Sequence, residues 1–273
     1  MIIGMRGHDF GRMTPEALAD AIASYGFRAT QLAFTKCFEG PADQYMTPEA
    51  LIGIRDTFAA RGIAIPVLGC YISASDADDA VREAAKAKFA ASLRASVTLG
   101  AGCVGTETTH FRTDESQREA AYARLLDFAR FVAKEAEACG AIAAIEPVAV
   151  HTLNTPELTR RLLDDVNSPN LKVLLDTANL ITPQTTAPEA QREILERAID
   201  CFGEHVVALH IKNGVFNEDG KWINRPIDQG VMDWEHLFPI LRQHFDHLCA
   251  TRENVFPGMA AEEFAILSRW NRD

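Results

Sequence analysis

Eight times along this chain a short apolar run rich in β-forming residues gives way to a longer amphipathic segment. That alternation constrains the fold more than any other feature. The strand-like runs are 2–6, 30–34, 63–70, 103–107, 142–146, 172–176, 206–212 and 248–253. Several read as continuous apolar runs, as expected for parallel strands covered on both faces. Helix-like segments fall after them at 14–25, 48–61, 77–99, 114–139, 156–166, 188–203, 233–245 and 259–270. Repeated βα units imply a closed barrel or a doubly wound sheet, and eight units favour the barrel. No Gly-x-Gly-x-x-Gly follows the first run, which weighs against a dinucleotide fold. The expectation is an α/β chain forming one (β/α)8 TIM barrel over 1–273, with no linker or low-complexity segment.

Start and stop signals support these units. Thr14-Pro15-Glu16, Thr47-Pro48-Glu49 and Thr155-Pro156-Glu157 share one logic. Thr accepts from an orphan amide, Pro takes the first helical position, and Glu faces the positive end of the helix dipole. Ala187-Pro188-Glu189 is a weaker version, and Asp233 is a candidate cap for the segment it precedes. Gly26, Gly62, Gly100 and Gly140 stand just past helices, where a left-handed residue ends the turn. The longest stretch without a periodic signal is 213–232, after the seventh run, and loops of that length are often functional.

Length and charge narrow the function classes. With 273 residues and 47% hydrophobic content, the chain can bury a large core without disulfides or structural metals. Its net charge of −11 and the absence of a Lys/Arg cluster argue against a nucleic-acid partner. No apolar stretch reaches the roughly 18 residues of a membrane span. The N-terminus lacks the pattern of a signal peptide. Cys37, Cys70, Cys103, Cys139, Cys201 and Cys249 form no Cys-x-x-Cys pair. A reducing, cytoplasmic setting fits best.

Active sites of such barrels form at the C-terminal ends of the strands. Those ends are polar here: Arg6-Gly7-His8-Asp9, Thr106-Glu107-Thr108, Glu146-Pro147, Asp176, His210-Ile211-Lys212-Asn213 and Arg252-Glu253-Asn254. Glu146, Asp176, His210 and Glu253 end four consecutive runs. Carboxylate oxygens and one imidazole suit one divalent ion such as Mn²⁺, Mg²⁺, Co²⁺ or Zn²⁺. Neighbouring strands lie about 4.8 Å apart, so such ends can converge. A dication would offset several buried carboxylates.

The pieces Ala144-Ile145-Glu146-Pro147, Leu174-Leu175-Asp176-Thr177-Ala178-Asn179 and Leu209-His210-Ile211-Lys212 resemble the xylose isomerase-like TIM-barrel superfamily. More narrowly they resemble its sugar phosphate isomerase/epimerase branch. Residues 226–234 resemble that family's Pro-x-Gly-x-Gly-x-x-Asp-Trp/Tyr segment, with Asp228 where Gly is usual. The resemblance spans essentially the whole chain. It implies one divalent metal held by Glu146, Asp176, His210 and Glu253, a small carbohydrate substrate, and a dimer or tetramer. It also implies that Glu146 and Glu253 act as an acid–base pair on opposite faces of the sugar. They would move a proton at the carbon next to a carbonyl through an enediolate. Loss of a β-hydroxyl from a polyol ketone, a dehydration, begins at the same site with the same step. Two positions depart from the epimerase pattern: Asn179 replaces the His of Asp-x-x-His, and Thr152 replaces a Glu six residues after the first.

Other candidates surround the four. Strand alternation sets Lys212 on the same face as His210, as a substrate ligand or as an ion-pair partner. His8, Glu107, His151 and Asn179 are further substrate-binding candidates. His151 would orient substrate or Glu146. Arg225, in the long loop, would hold a substrate hydroxyl or carboxylate, or lie on the surface. Gln31 is a weaker candidate. Tyr71, Phe10, Phe216 and Trp222 would wall a sugar ring or pack loops over the barrel mouth. Too few strand-end histidines and an acidic surface argue against a multi-metal phosphoesterase. A Schiff-base role for Lys212 and a non-catalytic binding role complete the alternatives.

Overall fold

Each expected strand forms within two residues of its expected ends. The computed structural model describes residues 1–111 and 114–272. Its strands are β1 (Ile2–Arg6), β2 (Ala29–Leu32), β3 (Ala64–Gly69), β4 (Cys103–Glu107), β5 (Ala143–Glu146), β6 (Leu171–Asp176), β7 (Val206–Ile211), β8 (Asn213–Phe216), β9 (Trp222–Arg225) and β10 (Cys249–Arg252). β1 to β7 and β10 close into a parallel barrel in the ring order β1-β10-β7-β6-β5-β4-β3-β2. Hence β2 stands diametrically opposite β6.

The helices are α1 (Pro15–Ser24), α2 (Phe34–Cys37), α3 (Pro48–Ala59), α4 (Asp79–Leu99), α5 (Arg118–Cys139), α6 (Pro156–Val166), α7 (Thr177–Leu180), α8 (Pro188–Phe202), α9 (Trp234–Phe245) and α10 (Ala260–Trp270). The three Thr-Pro-Glu starts behave as expected. Thr14 Oγ1 accepts from Ala17 N, Thr47 from Ala50 N and Thr155 from Leu158 N, each at 3.2 Å. Each such cap contributes about 1 kcal/mol. Gly100 and Gly140 end α4 and α5 in the left-handed region, at φ 72° and 73°. Asp233 does not cap α9 with its side chain. Its carboxylate lies 2.9 Å from His236 Nδ1 instead.

Two apolar layers form. The larger lies between the strands and the helices and includes Phe58, Phe89, Phe128, Phe202 and Leu241. A smaller cluster of Val67, Cys103, Ala144, Leu174 and Ala208 draws one residue from each of β3 to β7 and fills the lumen. Gly105 lets that plug close. A Cβ there would stand 2.9 Å from Val67 Cγ1 and 3.1 Å from Leu174 Cδ1. Gly105 and Leu174 also form the floor of the cavity at the strand ends.

The stretch expected to be irregular, 213–232, contains an antiparallel hairpin of β8 and β9. Gly220, at φ 72°, and Asn217, whose Oδ1 accepts from Asp219 N and Lys221 N, make its turn. Asn213 ties the hairpin to the 226–234 segment. Its Nδ2 donates to Ile227 O at 2.8 Å, and its Oδ1 accepts from Met232 N at 2.9 Å. Gly230 passes so close to Asn213 that no Cβ fits there. Trp234 Nε1 then donates to Lys212 O at 3.0 Å. This motif therefore anchors the end of β7, where His210 and Lys212 stand.

Candidate active site

The C-terminal rim gathers five titratable side chains from β5, β6, β7 and the residues directly after β7 and β10. Glu146, Asp176, His210, Lys212 and Glu253 are all buried. His210 Nδ1 lies 3.4 Å from Glu146 Oε1 and 3.5 Å from Glu253 Oε1. Lys212 Nζ lies 3.1 Å from Asp176 Oδ2 and 3.5 Å from Glu253 Oε2. Asp176 Oδ1 accepts from Ala178 N at 2.8 Å and so caps α7. That short turn aims Asn179 inward. Asn179 Nδ2 donates to Glu146 Oε1 at 2.7 Å, and its Oδ1 accepts from Lys212 Nζ at 2.6 Å. The position where the family pattern carries a histidine thus links the two sides of the cluster.

Arg6, at the end of β1, completes it. The guanidinium donates to Asp9 Oδ1 at 2.7 Å, Glu253 Oε1 at 3.3 Å and Asn254 Oδ1 at 2.5 Å. Asn254 adopts φ 59°, a left-handed conformation that asparagine tolerates better than most residues. Arg6 stood among the polar strand ends of the sequence, yet nothing local pairs it with Glu253, 247 residues away.

The electrostatics follow from burial and imbalance. Burial pushes Glu146 above the usual carboxylate range. It also pushes Asp176 up to about 6, against the pull of Lys212. Burial would raise Glu253 too, but His210, Lys212 and Arg6 outweigh it and hold that carboxylate well below its usual range. For His210 burial works downward, and the Glu253 and Glu146 carboxylates overcome it, raising the pKa to about 9. Oppositely shifted carboxylates within one cluster are a feature of sites that move protons.

These residues fit a metal. One ligand atom each from Glu146, Asp176 and His210 lies within 4.8 Å of the others. His210 Nε2 is buried without a hydrogen-bond partner, and Asp176 Oδ2 has only the Lys212 ammonium at 3.1 Å. Two carboxylate oxygens and an imidazole nitrogen suit a borderline dication. Glu253 falls outside that triad but touches it through His210. Glu107, Glu146, Asp176 and Glu253 face Lys212, Arg6 and Lys36 as permanent cations, so the donor set carries excess negative charge for an ion to neutralise.

The cavity between them has a volume of about 250 Å³. Glu107, Glu146, His210 and Glu253 line it, as do Arg6, Gln31, Lys36 and Tyr71. Of the other sequence candidates, His8 lies beside this cavity, edge-on to Tyr71 with ring centroids 6.0 Å apart. Burial, with Arg6 and Lys36 nearby, pushes its pKa down to about 3. His151 is brought to Glu107 rather than to Glu146, with Nε2 3.9 Å from the Glu107 carboxylate. Burial and His110 push its pKa down to about 4, so the imidazole is neutral and the contact is not an ion pair.

Arg225 is not brought to the cavity. Its side chain is exposed on β9 and donates to Asn224 O at 3.2 Å, because the hairpin turns it away from the mouth. Phe10 packs on Tyr25, also outside the cavity. Phe216 and Trp222 pack edge to face at 5.2 Å and line an adjoining apolar cavity with Val148, Ala178 and Asn179. Lys36 was missed by sequence reasoning. It sits on the short turn α2, where no local pattern marks it.

The model of the family described as xylose isomerase-like TIM barrel matches residues 19–252. The chain belongs to that family. A search of curated proteins finds no match. Solved structures are similar over nearly the whole barrel. A D-tagatose 3-epimerase-like protein superposes with a TM-score of 0.80 at 15% identity, covering 99% of this chain and 97% of that one. An IolI protein with a bound zinc atom gives 0.78 at 15%, covering 99% and 98%. A probable 3-DHS dehydratase, AsbF of Bacillus anthracis, gives 0.75 at 15%, covering 100% of both chains. At these identities the likeness is one of fold. Within that family fold, this chain places carboxylates and an imidazole at the ends of adjacent strands. Among the described residues no helix is long and apolar enough to cross a membrane.

Proposed function

We propose that this protein is a divalent-metal-dependent isomerase or epimerase. It acts on a small sugar or sugar acid by moving a proton at a carbon next to a carbonyl. One observation carries the reading: the Glu146 and Glu253 carboxylates flank a single imidazole, 3.4 and 3.5 Å from His210 Nδ1, and line one cavity of about 250 Å³. Glu146, Asp176, His210 and Glu253 are the residues that would hold the ion. Bound there, a dication polarises a carbonyl and offsets the negative charge that develops on its oxygen.

The protein's own groups divide the remaining work. Glu253, kept ionised by the Lys212 and Arg6 cations beside it, takes the proton from carbon. Glu146, pushed toward its protonated form by burial, returns one. Delivery to the opposite face inverts the centre, and delivery to the neighbouring carbon isomerises it. Asn179 restrains Glu146, and Lys212 and Arg6 restrain Glu253. The bound zinc of the IolI protein and the epimerase-like neighbour agree with this reading, and the dehydratase neighbour defines its rival.

The test is solvent exchange. Mn²⁺-loaded protein is incubated in ²H₂O with a panel of ketoses and keto acids. Deuterium at the carbon next to the carbonyl, without loss of mass as water, is the expected result, and EDTA should abolish it. A product lighter by one water assigns the dehydration instead. Undiminished activity in fully metal-free protein refutes the proposal.

A further inference from the structure

The wall of the cavity opposite the metal-ligating side carries a cation with no carboxylate at ion-pair distance among the described residues. Lys36 lies on α2, directly after β2, and β2 is diametrically across the ring from β6 and Asp176. Its ammonium sits 3.4 Å from the centroid of the Tyr71 ring. Lys36 is exposed at the mouth of the cavity, so the cation–π contact holds its charge there while its hydrogen-bond donors face water that an anion can replace. The other two cations of the site are fully engaged. Arg6 donates to Asp9, Glu253 and Asn254, and Lys212 to Asn179 beside two carboxylates. Among the described residues, no carboxylate lies within ion-pair distance of Lys36.

Two neighbours extend the pattern. Gln31 Nε2 donates to the Tyr71 hydroxyl at 3.2 Å. Gln31 Oε1, on a side chain that is 3% exposed, has no partner. This wall therefore offers an unsatisfied acceptor, a phenol and an unpaired ammonium together. A polyhydroxylated chain ending in a negative group satisfies all three. Hydroxyls meet Gln31 and Tyr71, and the anion meets Lys36.

We propose that Lys36 and Tyr71 form a carboxylate subsite, so that the substrate is a sugar acid held with its carbonyl end at Glu146 and His210 and its acid end at Lys36. The assignment rests on the proton-transfer reading for the placement of the carbonyl end. A carboxylate fits better than a phosphate. Phosphate sites gather several backbone amides or more than one cation, and here a single ammonium and a phenol stand in a cavity sized for one sugar.

The test uses the matched pair D-fructuronate and D-fructose, which differ only in carboxylate against hydroxymethyl at C6. Affinities are measured by calorimetry on EDTA-treated protein, so that no metal competes for the acid group. Wild type is expected to bind D-fructuronate at least about tenfold more tightly than D-fructose. Lys36→Met should bring the two affinities together, and Lys36→Arg should keep most of the difference. Equal affinities in wild type, no binding of either sugar, or a preference that survives Lys36→Met overturns the proposal. Tighter binding of D-fructose 6-phosphate than of D-fructuronate, lost in Lys36→Met, overturns the carboxylate assignment in favour of phosphate. Binding without metal is independent of turnover. A failed deuterium exchange thus counts against the proton chemistry and not against this subsite.

Discussion

Two buried charge clusters stand one residue apart in the chain and behave in opposite ways. Arg252 turns outward from β10 to meet Glu263 of α10, and both side chains are fully buried. Arg252 Nε donates to Glu263 Oε2 at 2.8 Å, and Nη2 donates to Glu263 Oε1 and Arg225 O at 3.0 Å. Glu263 Oε1 also accepts from Ile227 N at 3.2 Å. Each charge has its counter-charge. Glu253, the next residue, points into the barrel and joins a cluster with more carboxylates than permanent cations, and with His210 Nε2 unpartnered. A closed ion pair fixes geometry and does nothing further. A cluster left electrically incomplete has room for an ion and for protons to move.

The comparison can be broken most sharply by neutralising one member of each cluster. Glu253→Gln should lower solvent-exchange activity by about 10²- to 10⁴-fold, the range for a general acid or base, and should also lower the urea unfolding midpoint, because a carboxylate held below its usual range contributes stability that the amide lacks. Arg252→Met should lower stability while the folded protein keeps its activity. Removing one partner of a buried pair costs roughly 3–5 kcal/mol, and the urea midpoint should drop accordingly. A Glu253→Gln that keeps full activity, beside a stable but inactive Arg252→Met, would reverse the roles assigned to the two clusters.

Metal removal should separate them next. An ion held at 100 times its dissociation constant stabilises the folded state by about 2.7 kcal/mol, so EDTA-treated protein should melt below the Mn²⁺-loaded form. Arg252→Met should retain that difference, and Asp176→Asn should lose most of it. Asn179→Ala, which releases both Glu146 and Lys212, should lower kcat about tenfold at little cost in stability.

The smallest effect concerns acid. His8 and His151 titrate near 3 and 4 in the folded protein, against about 6.5 when unfolded. Between those values the unfolded chain binds protons that the folded one does not. Their contribution to stability is therefore complete above pH 6.5 and is lost progressively as pH falls toward 4. Urea midpoints across that window should fall less steeply in His151→Gln than in wild type.

Much of the barrel was legible because its signals are local. The Thr-Pro-Glu caps, the terminal glycines and the apolar runs act within one turn or one strand. The hairpin was legible in principle, through Asp219-Gly220 between Val215-Phe216 and Trp222-Ile223, a turn signal outweighed by the polar residues around it. Glu146, Asp176, His210 and Glu253 could be read as strand ends because a closed barrel directs all such ends to one rim. Arg225 could not be placed, since its direction depends on how the hairpin folds back.

By itself the sequence determined the eight βα units, their order and the residues that end each strand, since periodicity and capping depend on neighbours a few positions apart. Only the tertiary structure decided which ends meet. It paired Arg6 with Glu253 across 247 residues, sent Arg252 out to Glu263, set His151 against Glu107, and left Lys36 against the Tyr71 ring with no carboxylate at ion-pair distance among the described residues. Those outcomes depend on barrel closure and on side-chain direction at the rim, which bring together charges that no local pattern relates.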